Sequence, residues 1–191
     1  MPRQKEVSDA EIRKVARRVF LEKGTQTPVT VIAKELGVSS ATLFLRMGSK
    51  DRLLIAALWP PAPPVEAVLD CGVRKETPVP EQLLEILYQL AVYVAVEIPA
   101  IFMLHAAGVK APTDDLSNVT PLRLRRKLSR WIASAQAAGQ LRHVKPDVAA
   151  ELIMGTLEAS NLHAFVQRRE ISSRRNRVIV RELVAAIFDS D

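Results

Sequence analysis

The run Ser39-Ser40-Ala41-Thr42-Leu43-Phe44-Leu45-Arg46 brings three hydroxyls and a guanidinium into one short stretch, with Lys50 close behind. Hydroxyls and unpaired backbone amides at the start of a helix suit phosphate oxygens, because the amides point outward and the helix dipole favours negative charge. No catalytic or metal-binding signature stands out along the chain. His105, His143 and His163 are scattered, without a second ligand at i+4 or a cysteine partner, so no metal site is expected. No Gly-x-Ser-x-Gly elbow, phosphate loop or dinucleotide fingerprint occurs, so no catalytic residue and no cofactor are assigned. Glu158 and His163, five residues apart, fall on different faces of a helix.

The charge is distributed unevenly. Of a net +6 over 191 residues, the segment 1–59 holds 11 basic and 6 acidic side chains, a local +5, whereas 60–191 holds 16 and 15. A basic first third beside a near-neutral remainder suits an anionic polymer. With 48% hydrophobic and 25% charged residues, the chain buries a real core, and its few glycines among abundant Ala, Leu and Arg predict an all-α fold. A lone cysteine, Cys71, excludes an internal disulfide and fits a reducing cytoplasm. The polar N-terminus lacks the apolar core of a signal peptide. Leu83 to Val109 is apolar enough to raise the question of a membrane span. Glu85, Gln89, Glu97, Pro99 and His105 interrupt it, and a buried helix pair with no membrane partner is expected.

The elements that must position the first run follow from caps and periodicity. Ser8 and Glu11 form a capping box ahead of Ile12, Val15, Ala16, Val19 and Phe20, and Gly24 ends that helix. Thr27 and Pro28 open a second as N-cap and first-turn proline, with Val29, Ile32, Ala33 and Leu36 inward and Gly37 as its stop. Ser39 caps a third, and Ser49 a fourth carrying Leu53, Leu54, Ala57 and Leu58. The cluster Pro60-Pro61-Ala62-Pro63-Pro64 cannot stay helical. These signals divide the chain into a helix-turn-helix domain over 1–59, a proline-rich linker with a short helix over 60–80, and a helical domain over 81–191. In the last, helices are expected from about 81 to 97, from Pro99 to near Gly108, from Pro121 to Ala138 after a loop through 113–120, from Pro146 to Arg168, and from about 173 to 188.

The second and third helices are joined by about three residues that include a glycine, the arrangement of a helix-turn-helix. Ala33, four before Gly37, allows close approach, Gly37 can adopt the left-handed turn, and Ile32, Leu36, Val38 and Leu43 fill the space between the helices. Here the stretch from Thr27 to Leu54, within a match over roughly residues 8–58, resembles the tetracycline-repressor (TetR) family of bacterial transcription regulators. That resemblance implies a sequence-specific DNA-binding regulator, most simply a repressor, with Ser39 through Arg46 as recognition helix in the major groove of a double-stranded operator. It carries Thr27, Thr30, Ser39, Ser40, Ala41, Thr42, Phe44, Arg46 and Lys50 into the DNA-binding set, with Thr27 and Lys50 at positions that touch phosphate and Thr30 as an edge contact. Phe44 stands where the family usually has tyrosine, Ala41 where glycine is common, and Met47 where phenylalanine is common. Arg46, at a position of frequent histidine, reads as a substitute contact to phosphate or to a guanine edge.

The final two helices are apolar on more than one side, which requires two partners each. A second copy of the chain supplies one, and the resemblance implies that these helices pack as a four-helix homodimer interface. Leu152, Gly155, Ala159, Leu162, Val166, Val180, Leu183, Val184 and Ile187 are the interface candidates. The resemblance also implies an effector pocket among the middle helices. Its candidates are Leu87, Tyr88, Tyr93, Phe102, Met103, His105, Trp131, Met154, Glu158, Asn161 and Phe165, whose character suits a hydrophobic or amphipathic small molecule. In relatives the fourth helix links pocket to DNA domain, and Pro60 cuts it short here. The alternative from a different class is a helical small-molecule carrier or interaction protein without specific DNA binding.

Overall fold

The computed structural model describes residues 7–110, 120–141, 145–169 and 172–188, and within them every regular element is an α-helix. These are α1 (Asp9–Lys23), α2 (Val29–Leu36), α3 (Ser40–Met47), α4 (Lys50–Leu58), α5 (Val65–Cys71), α6 (Val79–Ala106), α7 (Thr120–Ala137), α8 (Pro146–Val166) and α9 (Ser173–Phe188). The chain forms two compact units, one from Met1–Pro60 with Pro99–Asp114, the other from Pro61–Ile98 with Asp115–Asp191. The loop expected through 113–120 lies outside the described residues except for Thr120, which opens α7.

In the first unit α1 packs on α2 and α4, and α3 packs on both α2 and α4. The capping box forms as the sequence predicts: the Glu11 amide donates to Ser8 Oγ at 3.2 Å while the Ser8 amide donates to Glu11 Oε2 at 2.8 Å. Ile12, Ala16, Val19, Phe20, Ile32, Leu43, Leu53 and Leu58 make a closed core, to which Ala100 and Leu104 of α6 also belong. Burying side chains of this size stabilises by roughly 1.5–3 kcal/mol each, enough to hold helices of only eight residues that would not persist alone.

In the second unit α7 packs on α5 and α8, and α9 packs on α8. Leu83, Ile86, Leu87 and Leu90 meet Leu124, Leu128, Trp131, Met154, Leu157 and Val180 in its core. Ion pairs fasten the basic α7 to its neighbours: Arg123 to Glu66, Lys127 to Asp70, and Arg125 to both Glu151 (2.8 Å) and Glu158 (3.2 Å). A buried amide pair ties α9 to α8, with Asn176 Nδ2 donating to Asn161 Oδ1 at 3.3 Å and Asn161 Nδ2 donating to the Leu157 carbonyl at 2.7 Å.

The middle of the chain differs from the sequence expectation. Pro99 does not start a new helix but lies inside α6, which runs unbroken for 28 residues. Proline removes one amide donor from the ladder, yet Val94, Ala100 and Leu104 on either side of it are all buried, so packing outweighs the local preference. α6 is long and apolar enough to cross a membrane by length and composition alone. Its buried residues are shared between the two cores.

Candidate nucleic-acid interface

The turn between α2 and α3 is built by Gly37, at φ 72° and ψ 30°, a conformation costly for any residue with a Cβ. The Val38 amide reaches back to the Ala33 carbonyl at 3.0 Å and the Gly37 amide to that of Lys34 at 3.2 Å, so the last carbonyls of α2 are satisfied while the chain reverses. Val38 then enters the first core beside Leu36 and Leu43. Ser39 caps α3 by accepting from the Thr42 amide at 3.0 Å, and its Oγ also lies 2.9 Å from Thr42 Oγ1. Ser49 caps α4 in the same way through the Arg52 amide at 3.2 Å, which places Lys50 at that helix start.

α3 turns Leu43 inward and leaves the rest largely free: Ala41, Phe44 and Leu45 are exposed, Leu45 to 88%, and Ser40, Thr42 and Met47 are half-buried. Thr30 is exposed on α2. Two expected contacts are placed differently. Thr27 neither caps α2 nor faces outward. Pro28 holds the N-cap position without a side-chain bond, and the Thr27 hydroxyl is buried, donating to the Gly24 carbonyl at 2.7 Å. That bond closes the turn from α1 to α2 and uses the donor a phosphate would need. Arg46 is likewise engaged within the protein, its Nη2 2.6 Å from Asp9 Oδ1 and its Nη1 donating to the Val7 carbonyl. Sequence reasoning passed over Leu45; the signal was its place four residues after Ala41, on the face opposite Leu43.

The expected effector residues have different local surroundings. A groove of about 450 Å³ in the second unit is lined by Pro63, Pro64, Val65, Tyr88, Gln89, Val92, Tyr93, Val96 and Glu97, and takes in only Tyr88 and Tyr93 from the expected set. The Tyr93 hydroxyl donates to the Pro61 carbonyl at 3.0 Å, and burial pushes its pKa well above the usual phenol range. Leu87 and Met154 are core residues, and Asn161 is consumed by the amide pair. Trp131 is buried beside a separate cavity of about 230 Å³ with Asp70, Lys127 and Arg130. Glu158 is drawn to Arg125, and burial raises its pKa against that attraction. Phe165 is half-buried near the end of α8. Phe102, Met103 and His105 belong to the first unit, which takes in the part of α6 from Pro99 onward. Among the described residues no three His, Cys, Asp or Glu side chains converge to hold a metal ion.

Along α8, Val148, Leu152, Gly155, Ala159, Leu162 and Val166 recur at helical spacing on one side, with Leu152 62% and Val166 61% exposed. A Cβ added at Gly155 would meet nothing within 4 Å. On α9, Leu183, Val184 and Ile187 are half-buried against the second core, and Val178 is exposed. Val180 is a correction: at 0% exposure it lies wholly inside the protomer as part of the second core and has no surface left for a partner.

Comparison with known proteins places this geometry. Residues 12–57 match the bacterial regulatory proteins of the tetR family, and residues 104–189 match the C-terminal domain of AefR-like transcriptional repressors, together more than half of the chain. No curated protein matches the sequence. Among solved structures, a regulatory protein of the tetR family from Rhodococcus RHA1 superposes with a TM-score of 0.69 at 16% identity, covering 98% of this chain and 100% of that one. A TetR transcription regulator from Haloarcula marismortui gives 0.68 at 21%, covering 94% and 97%. A protein described for the control of antibiotic production by bacterial hormones gives 0.67 at 22%, covering 94% and 96%. At these identities the structural likeness concerns the fold. The matched DNA-binding and C-terminal segments, on an all-helical frame with an intact helix-turn-helix, show that the chain belongs to the tetR family of bacterial regulatory proteins.

Proposed function

We propose that this regulator is a repressor that holds a near-palindromic operator as a homodimer and leaves it when a hydrophobic or amphipathic small molecule binds the second unit. The observation that carries the DNA-binding part is α3, held by Gly37 and Leu43 as the second helix of the turn with its outer face uncovered. The local +5 of residues 1–59 supplies the long-range attraction to phosphate, and Lys50 at the start of α4 supplies a direct one. The exposed α8 stripe supports the homodimer: a glycine in mid-helix costs about 1 kcal/mol relative to alanine, and the empty space over Gly155 suits the close approach of a second helix. Two-fold symmetry presents two copies of α3 to successive major grooves, about 34–36 Å apart.

The groove beside Tyr88 and Tyr93 is the proposed effector site. Its wall is apolar, while Gln89 and Glu97 provide polar groups to orient a ligand. Release then follows if the ligand favours a form of the dimer that fits the operator less well. Its DNA target places such a protein in the cytoplasm.

The test is retention of the DNA upstream of its own gene by the purified full chain across a salt series. The logarithm of affinity should fall linearly with the logarithm of salt concentration, with a slope reflecting several phosphates. Lys50→Ala should weaken all sequences about equally and reduce that slope by about one. Absence of salt-sensitive retention would favour a helical carrier.

A further inference from the structure

We propose that α3 reads its operator chiefly through thymine methyl groups, with Leu45 and Ala41 as the specificity-determining side chains and Phe44 at their flank; this rests on the DNA-binding role proposed above. Ala41 and Leu45 stand one turn apart on the side of α3 opposite the buried Leu43. Leu45 is 88% exposed and Phe44 43% exposed, so their apolar surface meets solvent in the protomer. Thr42 and Arg46, two of the three polar side chains of α3, are already engaged. Thr42 and Ser39 hydroxyls lie 2.9 Å apart within the cap, and Arg46 is taken by Asp9 and the Val7 carbonyl.

The side chains that read guanine and adenine with two hydrogen bonds at once in the major groove are Arg or Lys, and Asn or Gln. α3 contains no Lys, Asn or Gln, and its one Arg is the engaged Arg46. What remains on the outer face is aliphatic and aromatic carbon, and the apolar group that a base pair offers in the major groove is the C5 methyl of thymine. The positive charge of residues 1–59 favours duplex DNA as the occupant of this face over a second protein surface. Each thymine methyl packed against Leu45 or Ala41 leaves water, whereas cytosine at that place leaves the leucine against a polar edge.

The experiment starts from the duplex that the full chain enriches from random DNA. That duplex is resynthesised with deoxyuridine replacing thymine one position at a time, which removes only the methyl group. At one or two thymines in each half-site, affinity should fall about three- to fivefold, the worth of one buried methyl. Leu45→Ala should erase that fall at the matching position while keeping salt-dependent binding, and Arg46→Ala should leave it in place. Circular dichroism checks that Leu45→Ala still folds, as a change at an exposed residue should. If every deoxyuridine duplex binds as its thymine parent does, while salt-dependent binding persists, methyl reading is overturned and DNA binding stands. If nothing is enriched and binding ignores salt, both fall. If Leu45→Ala instead loosens self-association with no effect on DNA, the face serves a protein contact and the proposal is overturned.

Discussion

The guanidinium of Arg46, in the last turn of α3, lies 2.6 Å from the carboxylate of Asp9, in the first turn of α1. The same side chain donates to the carbonyl of Val7, so the far end of α3 is fastened to the start of α1. A residue that reads in sequence as a contact to phosphate or to a guanine edge is in the structure a strap on the helix that would carry such contacts. Both partners are partly exposed, which limits the pair to about 0–1 kcal/mol of stability.

Arg46→Ala should therefore lower the melting temperature slightly and weaken binding to all DNA sequences by a similar, small factor. The base preference selected from random DNA should not change. Relaxed discrimination at a guanine would show instead that Arg46 leaves Asp9 and reads the groove.

Leu43 is the side chain by which α3 grips the first core, with 1% of its surface exposed. Leu43→Ala should cost about 2–5 kcal/mol in chemical denaturation, since the cavity adds to the lost transfer energy. DNA binding should fail in parallel with that loss of stability. A variant of unchanged stability would contradict the placement of α3 against α2.

Leu152→Glu sets a charge in the middle of the exposed α8 stripe without touching the core of the protomer. Sedimentation should find monomers that retain full helicity. Gly155→Ala should leave the protomer as stable or slightly more so, because the new methyl meets no atom and alanine is the better helix former, yet weaken the dimer. An unchanged dimer in both variants would move the interface elsewhere.

Burial raises the pKa of Glu158 from 4.5, with Arg125 opposing the rise. The folded protein thus holds this proton more tightly than the unfolded chain does. The stabilisation is complete below pH 4.5 and is lost as pH rises through the folded-state value. Relative to Glu158→Gln, which has no such proton, the melting temperature of the unaltered protein should decline as pH rises above 4.5. A difference independent of pH would contradict the burial of this carboxyl.

The first unit was legible because its signals are local. Ser8 with Glu11, Gly37, Ser39 and Ser49 each fix a boundary through the backbone groups nearest to them, and the structure uses them so. Where neighbours far along the chain decide, local signals point elsewhere. Pro99 reads as a helix start, but buried residues on both sides carry α6 through it. Beyond Pro99, Phe102, Met103 and His105 belong to the other unit from Tyr88 and Tyr93. Thr27 has the chemistry of a cap and spends it on Gly24, and Arg46 finds Asp9, partners that spacing alone does not reveal. The apolar pattern of α9 marks Val180 as buried without saying whether the cover is α8 or a second protomer.

Selection of bound sites from random duplex DNA by the full chain, followed by the mass of the complex formed on the winning duplex, tests most directly that this is a dimeric reader of DNA. The expected outcome is a near-palindrome with half-site centres about 10–10.5 base pairs apart, or a multiple of that, occupied by paired copies of the chain. A pool that stays random, or an asymmetric site occupied by a single chain, would contradict it.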